Sequence, residues 1–343
     1  MGENHHGRTE YLSFLSVLSS MAVVMLHTNS IFWIFSRSRW WLTANMIESV
    51  MYFAVPVFFM ISGCTLMDYR SRYSTSVFLK KRVQRTVVPF LFWSILAEIF
   101  HSLLISPPDG LRTALENILN CRTNGFFWFF PALFSIYLAI PVVSAVPEEK
   151  RRHVYGYGIL AAFVLQSLIP FIGSVFNLPT MSSLSIPAVA SYLIYPLIGY
   201  WIDRYPLSKR WRIVIYIAGL LGLLLHMVGT GVLSWKAGHM DKLFKGYLAP
   251  PAMLYSVAIF VAFRYMRWEK LQGWLRRILS PFMPLSFGVY LVQWFVLTTI
   301  EKYELFPRQS IVYRTVGAAC IYLLCAGVVA VLRRIPLLRK TVG

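Results

Sequence analysis

The chain has 343 residues, of which 57% are hydrophobic and only 14% charged, with a mean hydropathy of +0.59; that is too little polar surface to clothe a water-soluble globule of this length. Its net charge of +19 does not mark a nucleic-acid binder, because the basic residues lie between apolar blocks rather than in one patch interleaved with aromatics. Cys64, Cys121, Cys320 and Cys325 are scattered without CxxC or Cys/His spacing, so neither a metal site nor a disulfide scaffold is expected.

The amino-terminal stretch MGENHHGRTEY lacks the shape of a signal peptide, and His6 stands where a myristoylation motif requires Ser or Thr. The first apolar block is therefore expected to remain in the mature protein. Blocks of about 20 apolar residues, each able to cross a hydrocarbon core as a helix, predict ten membrane helices at 11–33, 44–67, 83–105, 126–146, 154–172, 186–201, 211–230, 247–265, 280–300 and 311–332. Runs such as 213–228 are apolar on every face, which argues against a barrel. The sixth block is short and carries Pro187 and Pro196, so a kink, break or tilt is expected there. Residues 1–343 thus read as one all-α, polytopic membrane helix bundle in a lipid bilayer, with no soluble domain and no internal repeat. In the ten-helix arrangement 23 of the 33 Lys and Arg residues fall on the amino-terminal side, which predicts that both termini are cytoplasmic.

Ionisable groups inside membrane helices are costly and point to function. On the first helix Ser13, Ser16, Ser20, Val23 and His27 follow heptad spacing, so three hydroxyls and an imidazole share one stripe facing a polar cavity or a neighbouring helix. The structural alternative is close helix approach at the serines and a single hydrogen bond at His27. Glu48 and Glu98 lie at depths comparable to His27 on the next two helices. Either carboxylate could orient the imidazole for general-base work or sit in the outer interface. In FLKKRVQR, residues 78–85, Arg82 and Arg85 are three apart at a cytoplasmic helix mouth, where two guanidinium forks suit the phosphates of a nucleotide-bearing donor. RxxR is also common as a topology signal. His226 stands alone on an apolar helix and reads as a packed core residue, while Phe32, Trp33, Trp40 and Trp41 read as interface anchors ahead of sugar platforms.

Several segments, in order, resemble the acyltransferase-3 family of bacterial integral membrane acyltransferases. They are AVVMLH ending the first helix, VPVFFMISG at 55–63, KKRVQRTVVPFLFWS at 80–94, FFWFFPALFSIYLAIP at 126–141, LIYPLIGYWI at 193–202 and LSFGVYLVQW at 285–294. The resemblance covers nearly the whole length. It implies a multi-pass protein of the bacterial plasma membrane that moves an acyl group, usually acetyl, from cytoplasmic acetyl-CoA or another acyl-CoA to a hydroxyl or amine. The implied acceptor is a glycan, a lipid-linked sugar or a small metabolite; no permanently bound cofactor is implied.

By the same resemblance His27 matches the catalytic histidine, Arg82 with Arg85 the donor-binding RxxR, Trp128 and Tyr290 aromatic landmarks, and Ser62 with Gly63 the end of the second-helix motif. Two positions depart from the pattern. Ser16 stands eleven residues before the histidine, where relatives commonly carry arginine, and Gln293 stands where many carry a histidine. The resulting expectation is an O-acyltransferase with His27 as base, Glu48 or Glu98 orienting it, and Ser16, Ser20, Ser62, Trp128, Tyr290 and Gln293 around the substrates. The alternative is a transporter or exporter of a small polar metabolite that uses the same stripe.

Overall fold

The structure is a computed structural model that describes residues 3–106, 110–180, 191–266 and 272–343. It is all-helical, with no strand among the described residues. Helix α1 (Glu3–Thr28) is followed by a short 3-10 turn, Ser30–Trp33, so the first helix ends earlier than 33. The indole of Trp41 donates to the Phe32 carbonyl at 2.9 Å and the two rings stack at 5.8 Å. Both side chains are fully buried, which corrects their reading as interface anchors: they pin this turn to the helix that follows.

That helix runs as α2 (Arg39–Met51) and α3 (Ala54–Leu66). The sequence suggested one rod over 44–67, but Pro56 has no N–H for the Tyr52 carbonyl, and the chain breaks at Tyr52–Phe53. Next come α4 (Thr75–Arg82), a π-turn over Val83–Val87, and α5 (Val88–Leu104). A second π-turn spans Val164–Leu168. Pro89 and Pro170 each stand just after these turns, and the wider turn relieves the clash between a proline ring and the carbonyl one turn back. The remaining helices are α6 (Leu111–Leu119), α7 (Phe129–Val143), α8 (Glu148–Phe163), α9 (Ile169–Phe176), α10 (Ile194–Arg204), α11 (Lys209–Leu224) and α12 (Thr230–Ala237). They are followed by α13 (Pro250–Tyr265), α14 (Gln272–Leu279), α15 (Ser286–Lys302), α16 (Ala318–Leu332) and α17 (Pro336–Arg339). Further π-turns join α11 to α12 at Leu225–Gly229 and precede α16 at Tyr313–Gly317.

Among the described residues seven helical stretches are long and apolar enough to cross a membrane: Glu10–Thr28, Arg39–Ser71, Thr75–Leu104, Glu148–Phe176, Lys209–Ala237, Arg276–Lys302 and Tyr313–Leu332. Helices α7, α10 and α13 occupy the other three expected positions but are shorter, at 15, 11 and 16 residues. The start of the expected 186–201 helix, with Pro187, lies outside the described residues.

Helix α1 runs through the middle of the bundle, touching α2, α3, α13, α15 and α16. Lipid tails are as apolar as leucine, so helices in a bilayer associate through close packing rather than hydrophobic expulsion. The α3–α10 pair is the tightest case. A methyl group on Gly63 would meet the Pro196 carbonyl, and one on Gly199 would meet the Met60 backbone, so each helix supplies the glycine that admits the other's main chain. On the amino-terminal face Asp68 accepts from Arg151 Nη1 at 2.9 Å and also pairs with Arg204, tying the end of α3 to α8 and α10.

Candidate functional site

A cavity of about 660 Å³ opens beside α1 between α3, the 125–129 segment and α15. Ser16, Val23 and His27 of the polar stripe form one wall, joined by Glu48 from α2, Ser62 from α3, Trp128 and Tyr290. At these three positions the stripe faces a cavity, whereas Ser20 faces the neighbouring helix α15. Half of the lining residues are aromatic, and its size suits a small-molecule or single-sugar ligand.

His27 ends α1, and its ring is held by a loop rather than by a carboxylate. Phe126 lies parallel to the imidazole, 3.6 Å between centroids and 5° between planes. Tyr290 fixes that loop: its hydroxyl donates to the Phe126 carbonyl at 2.6 Å. The Gln293 amide stands beside the imidazole without a formed hydrogen bond, since its Oε1 and His27 Nδ1 are both buried and unpartnered. Its Nε2 donates instead to the Tyr290 carbonyl at 3.3 Å. Ser20 is also buried and donates to the Ser286 carbonyl at 3.3 Å, from behind the cavity wall.

The two glutamates separate. Both are buried, but only Glu48 lines the cavity; Glu98 of α5 does not. Asn29 Nδ2 approaches Glu48 Oε2 at 3.4 Å and donates to the Ala44 carbonyl at 2.9 Å. Asn29 Oδ1 in turn accepts from Arg314 Nη1 at 3.1 Å, while Arg314 Nη2 donates to Thr43 Oγ1 at 2.7 Å. Arg314 is fully buried and forms no ion pair among the described residues. On the other side of Glu48, Lys245 reaches in from the loop before α13, its Nζ 3.4 Å from Ser49 Oγ and 4.5 Å from the Phe32 ring centroid. Burial pushes this ammonium below the usual lysine range, and the Glu48 carboxylate opposes the shift. The same loop inserts Tyr247 between Trp128 (5.3 Å, 16°) and Tyr52 (4.3 Å, 12°), a continuous stack of three rings at the cavity. Asn29, Phe126, Lys245, Tyr247 and Arg314 were not singled out in the sequence; the unusual charge of Arg314 in an apolar helix was the one available signal.

The arginine pair divides as well. Arg82 is half-buried, its guanidinium 5.5 Å from the ring of Tyr137, a cavity residue, whereas Arg85 is exposed. The π-turn that begins at Val83 changes the angle between them. Ser62 lines the cavity and donates to the Phe58 carbonyl at 3.1 Å, while the neighbouring Gly63 serves the α3–α10 contact. His226 is buried against Tyr52, 4.7 Å between ring centroids. No group of three or more His, Cys, Asp or Glu able to hold a metal occurs among the described residues.

An all-helical bundle with seven long apolar helices and an enclosed polar stripe defines a multi-pass membrane protein. The family model Acyl_transf_3, an acyltransferase domain, matches residues 10–332, and the chain belongs to this acyltransferase-3 family. Comparison with curated proteins and with solved structures gives no match.

Proposed function

We propose that the chain is a membrane O-acyltransferase that moves an acetyl group from cytoplasmic acetyl-CoA to a hydroxyl of a cell-envelope glycan or lipid-linked sugar. In this reading it crosses the bacterial plasma membrane ten times, with both termini in the cytoplasm. One observation carries it: His27, with an unpartnered buried Nδ1, opens onto the same aromatic cavity as Glu48, Ser62, Trp128 and Tyr290.

The chemistry follows from that arrangement. Neutral His27 takes the proton of the acceptor hydroxyl as its oxygen attacks the thioester carbonyl. The new C–O bond forms, the C–S bond breaks, and the imidazolium returns the proton to the leaving thiolate, so the histidine ends as it began. Phe126, clamped by Tyr290, fixes the ring plane during both transfers. Gln293 can turn its Oε1 onto Nδ1–H and hold the tautomer that leaves Nε2 as base. Glu48 acts on the acceptor rather than on the imidazole, accepting from a sugar hydroxyl while Asn29 and Lys245 hold it. Trp128 and Tyr247 offer a flat apolar face to a pyranose ring.

The test needs no knowledge of the acceptor. Purified protein in detergent is given radiolabelled acetyl-CoA, and its slow hydrolysis is followed. Turnover lost in His27→Ala supports the reading. Solute uptake into proteoliposomes without any acyl donor, together with no turnover, favours an exporter instead.

A further inference from the structure

A vestibule of about 500 Å³ adjoins the His27 cavity at Ser16, which lines both. A third cavity, of about 230 Å³, shares no lining residue with either. Its shape follows from which helices pack on which. Helix α8 packs on α10, and α11 packs on α13, where Gly219 admits Ala258 and Gly222 admits the Pro251 carbonyl. The crevice runs between the two pairs. Phe163 of α8 and Trp211, Val214 and Ile215 of α11 form its sides, with Ile198 of α10 and Leu254 of α13 in the floor. Trp211 and Val214 are exposed, so it opens outward. Among the described residues every side chain lining it is apolar. In a membrane-embedded bundle a void there would forfeit the dispersion contacts on which helix association in lipid depends. A hydrocarbon chain fills it without stranding a polar group.

The end of the crevice on the amino-terminal face carries charge. Arg152 shares a face of α8 with Ile159 and Phe163, and Arg210 stands one turn before Val214 on α11. Arg152 is exposed, its guanidinium 5.8 Å from the Tyr205 ring. Lys209 and Arg210 are exposed as well, whereas Arg212 turns onto the Tyr265 ring at 4.5 Å. The acidic groups nearby do not cancel these cations. Asp68 is taken by Arg151 and Arg204, and Asp203 by Tyr11 and Arg264. Glu148, near Arg204, and Glu149 stand against Lys150, Arg152, Lys209, Arg210 and Arg212. Three of those cations occupy the first turn of α11 with no acidic residue among them, at the helix end that favours negative charge. From Arg152 to Phe163 is about 16 Å along α8, roughly half of a 30 Å hydrocarbon core and so the depth of one leaflet.

We propose that this crevice binds one phospholipid of the surrounding bilayer, with an acyl chain between α8 and α11 and an anionic headgroup at Arg152 and Arg210. Bound there, the lipid completes the packing that the α8–α10 and α11–α13 pairs leave open between them. The inference rests on the membrane-embedded fold and does not depend on acyl transfer.

The experiment takes the full chain in an uncharged detergent and titrates phosphatidylglycerol or phosphatidylcholine of identical chains, reading thermal unfolding and, by native mass spectrometry, retained lipid. Phosphatidylglycerol is expected to raise the unfolding temperature saturably and to stay as one retained molecule; phosphatidylcholine is expected to do neither at the same concentrations. Arg152→Gln combined with Arg210→Gln is expected to weaken the phosphatidylglycerol response roughly thirtyfold. Removing two charges from α14 and α17 instead, at Arg277 and Arg339, is expected to leave it unchanged. Val214→Trp fills the crevice and is expected to abolish retention with every arginine in place, while Leu220→Trp, also exposed on α11, is not. The arginine variants lie on the surface, leave the fold intact and decide the matter even where Val214→Trp fails to fold. Equal responses to the two lipids, an equal loss in the Arg277, Arg339 control, or undiminished retention in folded Val214→Trp overturns the proposal.

Discussion

The two cavities that meet at Ser16 are built from opposite materials. The one around His27 is walled by aromatic rings, and its charged members, Glu48 with Lys245 and Arg314 behind it, are buried and held by neutral amides and hydroxyls. The one beyond Ser16 includes two arginines, Arg72, exposed and donating to the Thr65 carbonyl, and Arg204, paired with Asp68. A site for making and breaking bonds gains from excluding water, because fixed dipoles act more strongly in a low dielectric. A site for capturing a charged ligand gains from staying reachable, where guanidinium groups remain solvated until the ligand arrives. Under the proposed function the chemistry belongs to the first region, and variants that strike one region alone test whether the second takes part.

The largest expected effect is His27→Ala. Removing a general base lowers turnover by roughly a hundred- to ten-thousand-fold, and acetyl-CoA hydrolysis reads it directly. CoA affinity is expected to stay unchanged in the same preparation. A variant that lost binding and turnover together would break the division between the regions.

Next in size is Gly63→Val, which strikes both regions at once. Helix α3 gives Ser62 to the His27 cavity and Thr65 to the vestibule, and it is held against α10 by a close approach that no side chain at 63 can share. Forcing the helices apart is expected to cost about 3 kcal/mol, at the upper end for overpacking. Thermal unfolding in detergent reads that cost, with CoA binding and turnover falling together. Retained binding in such a variant would show that the donor site does not depend on the α3–α10 contact.

Much of this arrangement was legible in the sequence, and the failures have a common cause. The long apolar helices announced themselves by length and hydropathy, and the stripe from Ser13 to His27 was found because helical periodicity alone says which residues share a face. What periodicity cannot say is which way a face points in the bundle. Glu48 and Glu98 were matched in depth, but only Glu48 turned toward the cavity. The π-turn at Val83–Val87 spoiled the simple three-residue spacing of Arg82 and Arg85, although Pro89 after it was visible. Lys245 and Tyr247 come from a loop almost 200 positions from Glu48 and Tyr52 in the chain, and a pairing at that separation leaves no local trace in a single sequence.

Asn29→Ala sharpens the comparison within the reactive region. Asn29 is the amide between Arg314 and Glu48, and its removal leaves two buried charges short of a partner. The expected loss is about 2 kcal/mol in unfolding free energy, with turnover reduced and CoA affinity intact. A loss confined to stability would mean that Glu48 braces the fold and does not hold the acceptor.

Tyr290→Phe is the mildest case and the most discriminating. It deletes one hydroxyl, the donor to the Phe126 carbonyl, and keeps the ring that packs against Phe127, Phe129 and Phe130. A single intramolecular hydrogen bond contributes about 1 kcal/mol, so stability should change little and CoA affinity not at all. Turnover should nonetheless fall severalfold, because Phe126 lies flat on His27 and its freed loop lets the imidazole leave the plane in which both proton transfers occur. If turnover in Tyr290→Phe equals that of the unaltered protein, the stacked ring alone orients His27, and Tyr290 is part of the aromatic wall rather than of the device that aims the base.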